Sequence, residues 1–123
     1  VWNHTCACLD AFAAIRIGDR DEDLIIGLAV LLHDIGKATT TKKEAKDGRW
    51  HAYGHEEESF NLAPRFLAQI TQEKKLIEAV LPLVRWHAQP YYLHKAGAGD
   101  AAVRRLANKV GRIDRLCRVD LAV

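Results

Sequence analysis

Leu24-Ile25-Ile26-Gly27-Leu28-Ala29-Val30-Leu31-Leu32-His33-Asp34-Ile35-Gly36-Lys37 is the stretch that decides the fold. The uncharged run from Leu24 to Leu32 suits either a buried strand or a helix that is apolar on every side. Asp19, Asp21 and Glu22 stand just upstream, where a cap and first-turn carboxylates complement the positive end of a helix. The run also continues through His33 and Asp34, which gives it helical length. A helix at the centre of the molecule is therefore predicted, stopped by Gly36. Burying it poses a chemical question, because an ionised carboxylate at its end is costly unless a cation or a donor compensates it.

The chain on either side reads as helix wherever a period is visible. In residues 1–16, His4, Cys8, Phe12 and Ile15 recur at spacings of three and four, and Gly18 is a plausible stop. Residues 37–54 have no period and read as an irregular surface loop, long enough to suggest a functional or mobile segment. A third helix is predicted from His55 to Ile70, with Glu56 to Glu58 in its first turn and Pro64 kinking or dividing it. A fourth runs from Gln72 to His87 and buries Leu76, Ile77, Val80, Leu81 and Val84, again with an internal proline, Pro82. Ala88 to Gly99, with Pro90 and two glycines, reads as loop. Asp100 caps a last helical region carrying Val103, Leu106, Ala107 and Val110, which Gly111 breaks before Ile113 to Val123. With no strand run, repeat or linker, the expected class is all-α: a compact bundle of about five to seven helices forming one domain over residues 1–123. The pattern opens inside a helix at Val1, so the chain is expected to be a piece of a longer protein.

Composition narrows the classes. Apolar residues make up 49% of the 123 and charged residues 28%, which excludes disorder and collagen-like repeats. Eighteen Lys and Arg against sixteen Asp and Glu leave +2, too little to argue for an autonomous grip on nucleic acid or on an anionic membrane. The Leu24–Leu32 run is about half a membrane span and no signal peptide is visible, so a cytoplasmic protein without a membrane partner is expected. Cys6, Cys8 and Cys117 do not make a disulfide framework and read as reduced thiols.

Histidine placement carries the chemistry. His-Asp at the end of a buried helix is, taken alone, more often a histidine satisfied by a backbone carbonyl than a metal ligand. His4 on an apolar stripe would alone be a core residue. Yet His55 opens the third helix, His87 closes the fourth, and Asp120 lies in the last helix among Leu116, Cys117, Val119 and Leu121. Five segments each place an imidazole or a carboxylate at an element end or on an apolar face, a pattern that packing does not explain.

These residues resemble a family. His4, then His33-Asp34 within His-Asp-Ile-Gly-Lys, then a distal Asp120 are similar to the H…HD…D signature of HD-domain metal-dependent phosphohydrolases, over essentially the whole chain. Trp2-Asn3-His4-Thr5, Gly54-His55-Glu56, Trp86-His87-Ala88-Gln89-Pro90 and Val103-Arg104-Arg105-Leu106-Ala107 look like the HD domain of bacterial CCA-adding tRNA nucleotidyltransferases and related proteins. The resemblance implies that His4, His33, Asp34 and Asp120 hold one divalent ion (Mn, Fe, Ni, Co, Mg or Zn). It also implies that His55 and His87 hold a second, bridged by Asp34, with a single ion as the simpler case. Imidazole and carboxylate ligands suit such cations. Asp34 and Lys37 are the implied catalytic residues, Lys37 meeting the anionic phosphate; its plain alternative is a solvated cation at a helix C-terminus.

The implied activity is hydrolysis of phosphoesters in nucleotides or RNA ends, such as 2′,3′-cyclic phosphates, with tRNA a partner through the parent protein. The alternative is a non-catalytic helical module supporting tRNA or protein binding. Oligomeric state is left open. Other residues read more plainly. Asp114 competes with Asp120 but is expected to pair with Arg118 on a solvated face. His51 and His94 read as surface histidines, although His51 could approach the metal edge. Arg104 and Arg105 could reach substrate, though an exposed face suits at least one. Trp50 and Tyr53, near Arg49, could stack on a base or simply anchor their loop. Removing Asp34 is expected to relieve repulsion between buried carboxylates in the metal-free protein.

Overall fold

The computed structural model describes residues 2–40, 42–43, 50–51 and 54–123, with the side chains of Thr40, Lys42, Lys43, Trp50 and His51 excepted. In it the decisive run is helical. Asp19 caps it, its Oδ1 accepting the N–H groups of Asp21 and Glu22 at 3.1 Å each, and three further carboxylates fill the first turn. The helices are α1 (Trp2–Ala14), α2 (Arg20–Leu32), the single turn α3 (Lys37–Thr40), α4 (His55–Ile70), α5 (Lys74–Trp86), α6 (Gln89–Lys95), α7 (Asp100–Val110) and α8 (Ile113–Ala122). The protein is all-α apart from two stubs, β1 (Lys42–Lys43) and β2 (Trp50–His51), paired antiparallel with Lys42 opposite His51 and Lys43 opposite Trp50.

α2 lies between α1, α5 and α8, while α4 packs along α5. Ile26, Ala29, Val30 and Leu32 are essentially sealed and meet Leu67, Val80, Leu83, Val84, Leu116 and Val119 in one core. Each of the larger side chains contributes roughly 1.5–3 kcal/mol by leaving water. The helix is not buried on every side: Leu24 is about half exposed, and Gly27, Leu28 and Leu31 are partly buried.

Several expectations need correction. The buried face of α1 is Thr5, Cys8 and Phe12, so His4 sits at the edge of the stripe with its side chain half exposed, and Ile15 is exposed beyond the helix end. The prolines neither divide nor end their helices: α4 runs unbroken through Pro64 and α5 through Pro82. Residues 88–99, expected as loop, contain α6, with Pro90 in its first turn, where a missing N–H costs nothing. The loop expected over 37–54 holds α3, β1 and β2 among its described residues.

Long-range ion pairs fasten α8 to α2. Arg115 grips Glu22 with two bonds of 3.0 and 2.6 Å, and Arg118 reaches Glu22 at 3.5 Å and Asp23 at 3.3 Å. Asp114 therefore does not pair with Arg118, as the i,i+4 spacing predicts, but with Arg112 at 2.7 Å on an exposed surface. Asp23 also accepts the N–H groups of Ile17 and Gly18, the latter at φ +87°, and so sets the turn from α1 into α2. No helix among the described residues is long and apolar enough to cross a membrane.

Candidate metal centre

Where α2 ends, the chain makes one more turn and presents His33 and Asp34, both almost fully buried. His33 Nδ1 lies 2.6 Å from the carbonyl oxygen of Val30. A carbonyl only accepts, so Nδ1 carries a proton and Nε2 is turned the other way, toward the cavity. The end of α5 repeats the device: His87 Nδ1 donates to Val84 O at 2.8 Å. Both rings are thus fixed in orientation and tautomer by their own helices, the arrangement found behind metal-ligating imidazoles.

Side-chain nitrogens converge on one carboxylate. Asp34 Oδ2 lies 3.2 Å from His33 Nε2, 3.6 Å from His4 Nε2 and 3.1 Å from Lys37 Nζ. Its Oδ1 lies 3.3 Å from His55 Nε2 and 3.9 Å from His87 Nε2. Rings pack around it edge to face, with centroids 5.5 Å apart for His4 and His33 and 5.1 Å for His33 and His87. Burial opposes ionisation of Asp34, but the hydrogen bonds and charges of His33 and Lys37 outweigh it and hold the carboxyl well below the ordinary range. Burial likewise pushes His87 down, against the pull of the Val84 carbonyl, and so favours its neutral form. Each Nε2 that faces Asp34 offers a lone pair when its ring is neutral, so a cation seated among them would be held by imidazole nitrogens and a carboxylate oxygen together. The donor set therefore fits divalent metal.

α4 is brought to this point by Gly36. Its N–H donates to Ser59 Oγ at 2.7 Å, and a Cβ there would collide with His55 O and lie 2.5 Å from Ser59 N. Only a bare α-carbon lets the first turn of α4, and with it His55, approach the His-Asp turn so closely. His55 Nδ1 in turn lies 3.4 Å from Glu56 Oε2.

The structure brings His4, His33, Asp34, Lys37, His55, His87 and Asp120 onto one open cavity of about 360 Å³. Among the described residues, two groups have ligating atoms within 4.8 Å of one another: Asp34, His55 and His87, and, beside them, His4, Cys8 and His33. Arg104 and Arg105 do not line it. Both are exposed on α7, and Arg105 borders a separate cavity with Trp86 and Lys109. His94 is exposed on α6. The side chains of Trp50 and His51, together with Arg49 and Tyr53, lie outside the described residues.

Three neighbours are not picked out by the motif. Cys8 Sγ lies 3.4 Å from His4 Nε2, one turn along α1, and burial first and the nearby Asp34 second push its thiol up. The spacing of four from His4 is its signal. Tyr91 and Tyr92 also line the cavity, from the helix that a loop reading of 88–99 conceals.

Comparison with known proteins agrees with this geometry. The family model described as HD domain matches residues 1–119. A curated relative, the A-adding tRNA nucleotidyltransferase of Deinococcus radiodurans, is 28% identical over 89 residues, which cover 72% of this chain and 19% of that protein. The chain thus spans about a fifth of the length of that relative. No solved structure matches the chain significantly.

Proposed function

The chain belongs to the HD-domain family, and on that premise we propose that it is a divalent-metal-dependent phosphohydrolase acting on nucleotide or RNA-end phosphoesters such as 2′,3′-cyclic phosphates. The observation that carries this reading is the division of labour at Asp34, one oxygen facing His4, His33 and Lys37 and the other facing His55 and His87. In this reading His4, His33, Asp34 and Asp120 hold one ion (Mn, Fe, Ni, Co, Mg or Zn). His55 and His87, together with Asp34, would hold a second. Such ions, when bound, supply Lewis acidity toward phosphoryl oxygens and a nucleophile at neutral pH.

The protein's own residues do the rest. The Val30 and Val84 carbonyls hold two imidazoles with their Nε2 atoms aimed into the cavity. Lys37, about one-third exposed, keeps its ammonium beside Asp34 where a phosphate can reach it. It offsets the negative charge that builds on the phosphoryl oxygens, while Asp34 stays ionised and orients the cluster. Likeness to a tRNA nucleotidyltransferase supports RNA ends as the substrate class, and a place beside such an activity in a longer protein.

The test is metal analysis of the purified protein together with hydrolysis of 2′,3′-cAMP in added Mn²⁺, Ni²⁺ or Co²⁺. Metal at one or two equivalents with turnover is the expected result. Metal without turnover rejects the hydrolase in favour of a supporting module.

A further inference from the structure

α6 has no fully buried residue and touches the core through half-buried Leu93. It nevertheless presents two adjacent tyrosines to the histidine-lined cavity. Tyr91 is 60% exposed and Tyr92 49%, with their rings edge to face at 5.7 Å between centroids. Large aromatic side chains are ordinarily drawn into the interior, so a helix with two open rings calls for another use. The pair is held in place. Tyr92 Oη donates to Glu56 Oε1 at 3.4 Å, the other oxygen of that carboxylate lies 3.4 Å from His55 Nδ1, and Lys95 Nζ sits 5.9 Å from the Tyr91 ring centre. Ring and candidate ligand thus share one carboxylate, which fixes the distance from the aromatic rim to the phosphate-facing floor.

We propose that Tyr91 and Tyr92 form a stacking platform for a nucleobase, so that this site takes nucleotides rather than phosphoesters lacking a base. The proposal rests on the phosphoester reading above and deepens it. Phosphate at Lys37 and a base on the tyrosines both belong to the one cavity, whose 360 Å³ falls within the span of small-molecule sites. Stacking uses the π-face common to every base, so the platform selects for a base without selecting which.

Equilibrium binding in Mn²⁺ provides the test, with adenosine 3′-monophosphate and ribose 5-phosphate as probes. The nucleotide is expected to bind about tenfold more tightly than the sugar phosphate. The double variant Tyr91→Leu/Tyr92→Leu, at two exposed positions of α6, should bind both probes alike, and Tyr91→Phe should keep the preference. Equal binding of the two probes, no binding of the nucleotide, or an undiminished preference in the double leucine variant overturns the platform. A base preference that vanishes in that variant while no phosphoester is hydrolysed leaves the platform standing and rejects the hydrolase instead.

Discussion

Asp34 keeps its charge in a buried position because the described groups within ion-pair distance are four imidazoles and the Lys37 ammonium. The expected repulsion between buried carboxylates is therefore not what its surroundings show, and Asp34→Ala is not expected to stabilise the metal-free protein. That variant should lose bound metal to background and with it all turnover of 2′,3′-cAMP, while its far-ultraviolet circular dichroism stays helical. Retained metal and activity would reject the assignment. A backbone carbonyl is the ordinary partner for the His33 ring, but which carbonyl, and the same pairing at His87, depends on how each helix ends. What the residue pattern does carry is the choice of imidazole and carboxylate at element ends.

Helices are where local pattern and long-range contact separate most clearly. The stretches around α2, α4, α5, α7 and α8 are legible from period, first-turn acids and glycine stops. α6 is not, because seven residues without a buried face leave no stripe, although Pro90 suits a helix start as well as a loop. The Glu22–Arg115 pair is also hidden, lying between helices 93 residues apart in sequence. Chiefly through its hydrogen bond from Arg115, Glu22 is held below its ordinary range. A depressed carboxyl contributes stability above its unfolded value of about 4.3, and that contribution is lost as pH falls through the folded value. Glu22→Gln should accordingly cost about 1 kcal/mol at pH 7 in denaturant titrations, and less as pH drops below about 4. Asp114→Asn, on the exposed Arg112 pair, should leave the melting temperature unchanged. Gly36→Ala forces backbone against backbone where α4 meets the His-Asp turn, so a loss of about 1–3 kcal/mol is expected. Its metal stoichiometry should fall further than that of Ser59→Ala, which removes only the hydroxyl that accepts from Gly36.

At the scale of the whole molecule, the candidate ligands come from α1, the end of α2, the start of α4, the end of α5, and α8. Their types are legible in the chain, and a family resemblance orders them. Their convergence is a property of the packing, which no local spacing encodes. A cation bound as proposed would favour the folded state alone, so Mn²⁺ at about a hundred times its dissociation constant should add about 2.7 kcal/mol. Calorimetry should show that gain as a rise on the order of 10 °C, reversed by chelator and missing in Asp34→Ala. His4 and Asp120 lie nearly the full sequence apart, yet α1 and α8 pack against each other and both residues face one hollow. A ribosome must deliver the whole stretch between them before the seat can shut, and closing so distant a pair is the slow part of folding. An ion bound as proposed would then enter a finished scaffold rather than seed it.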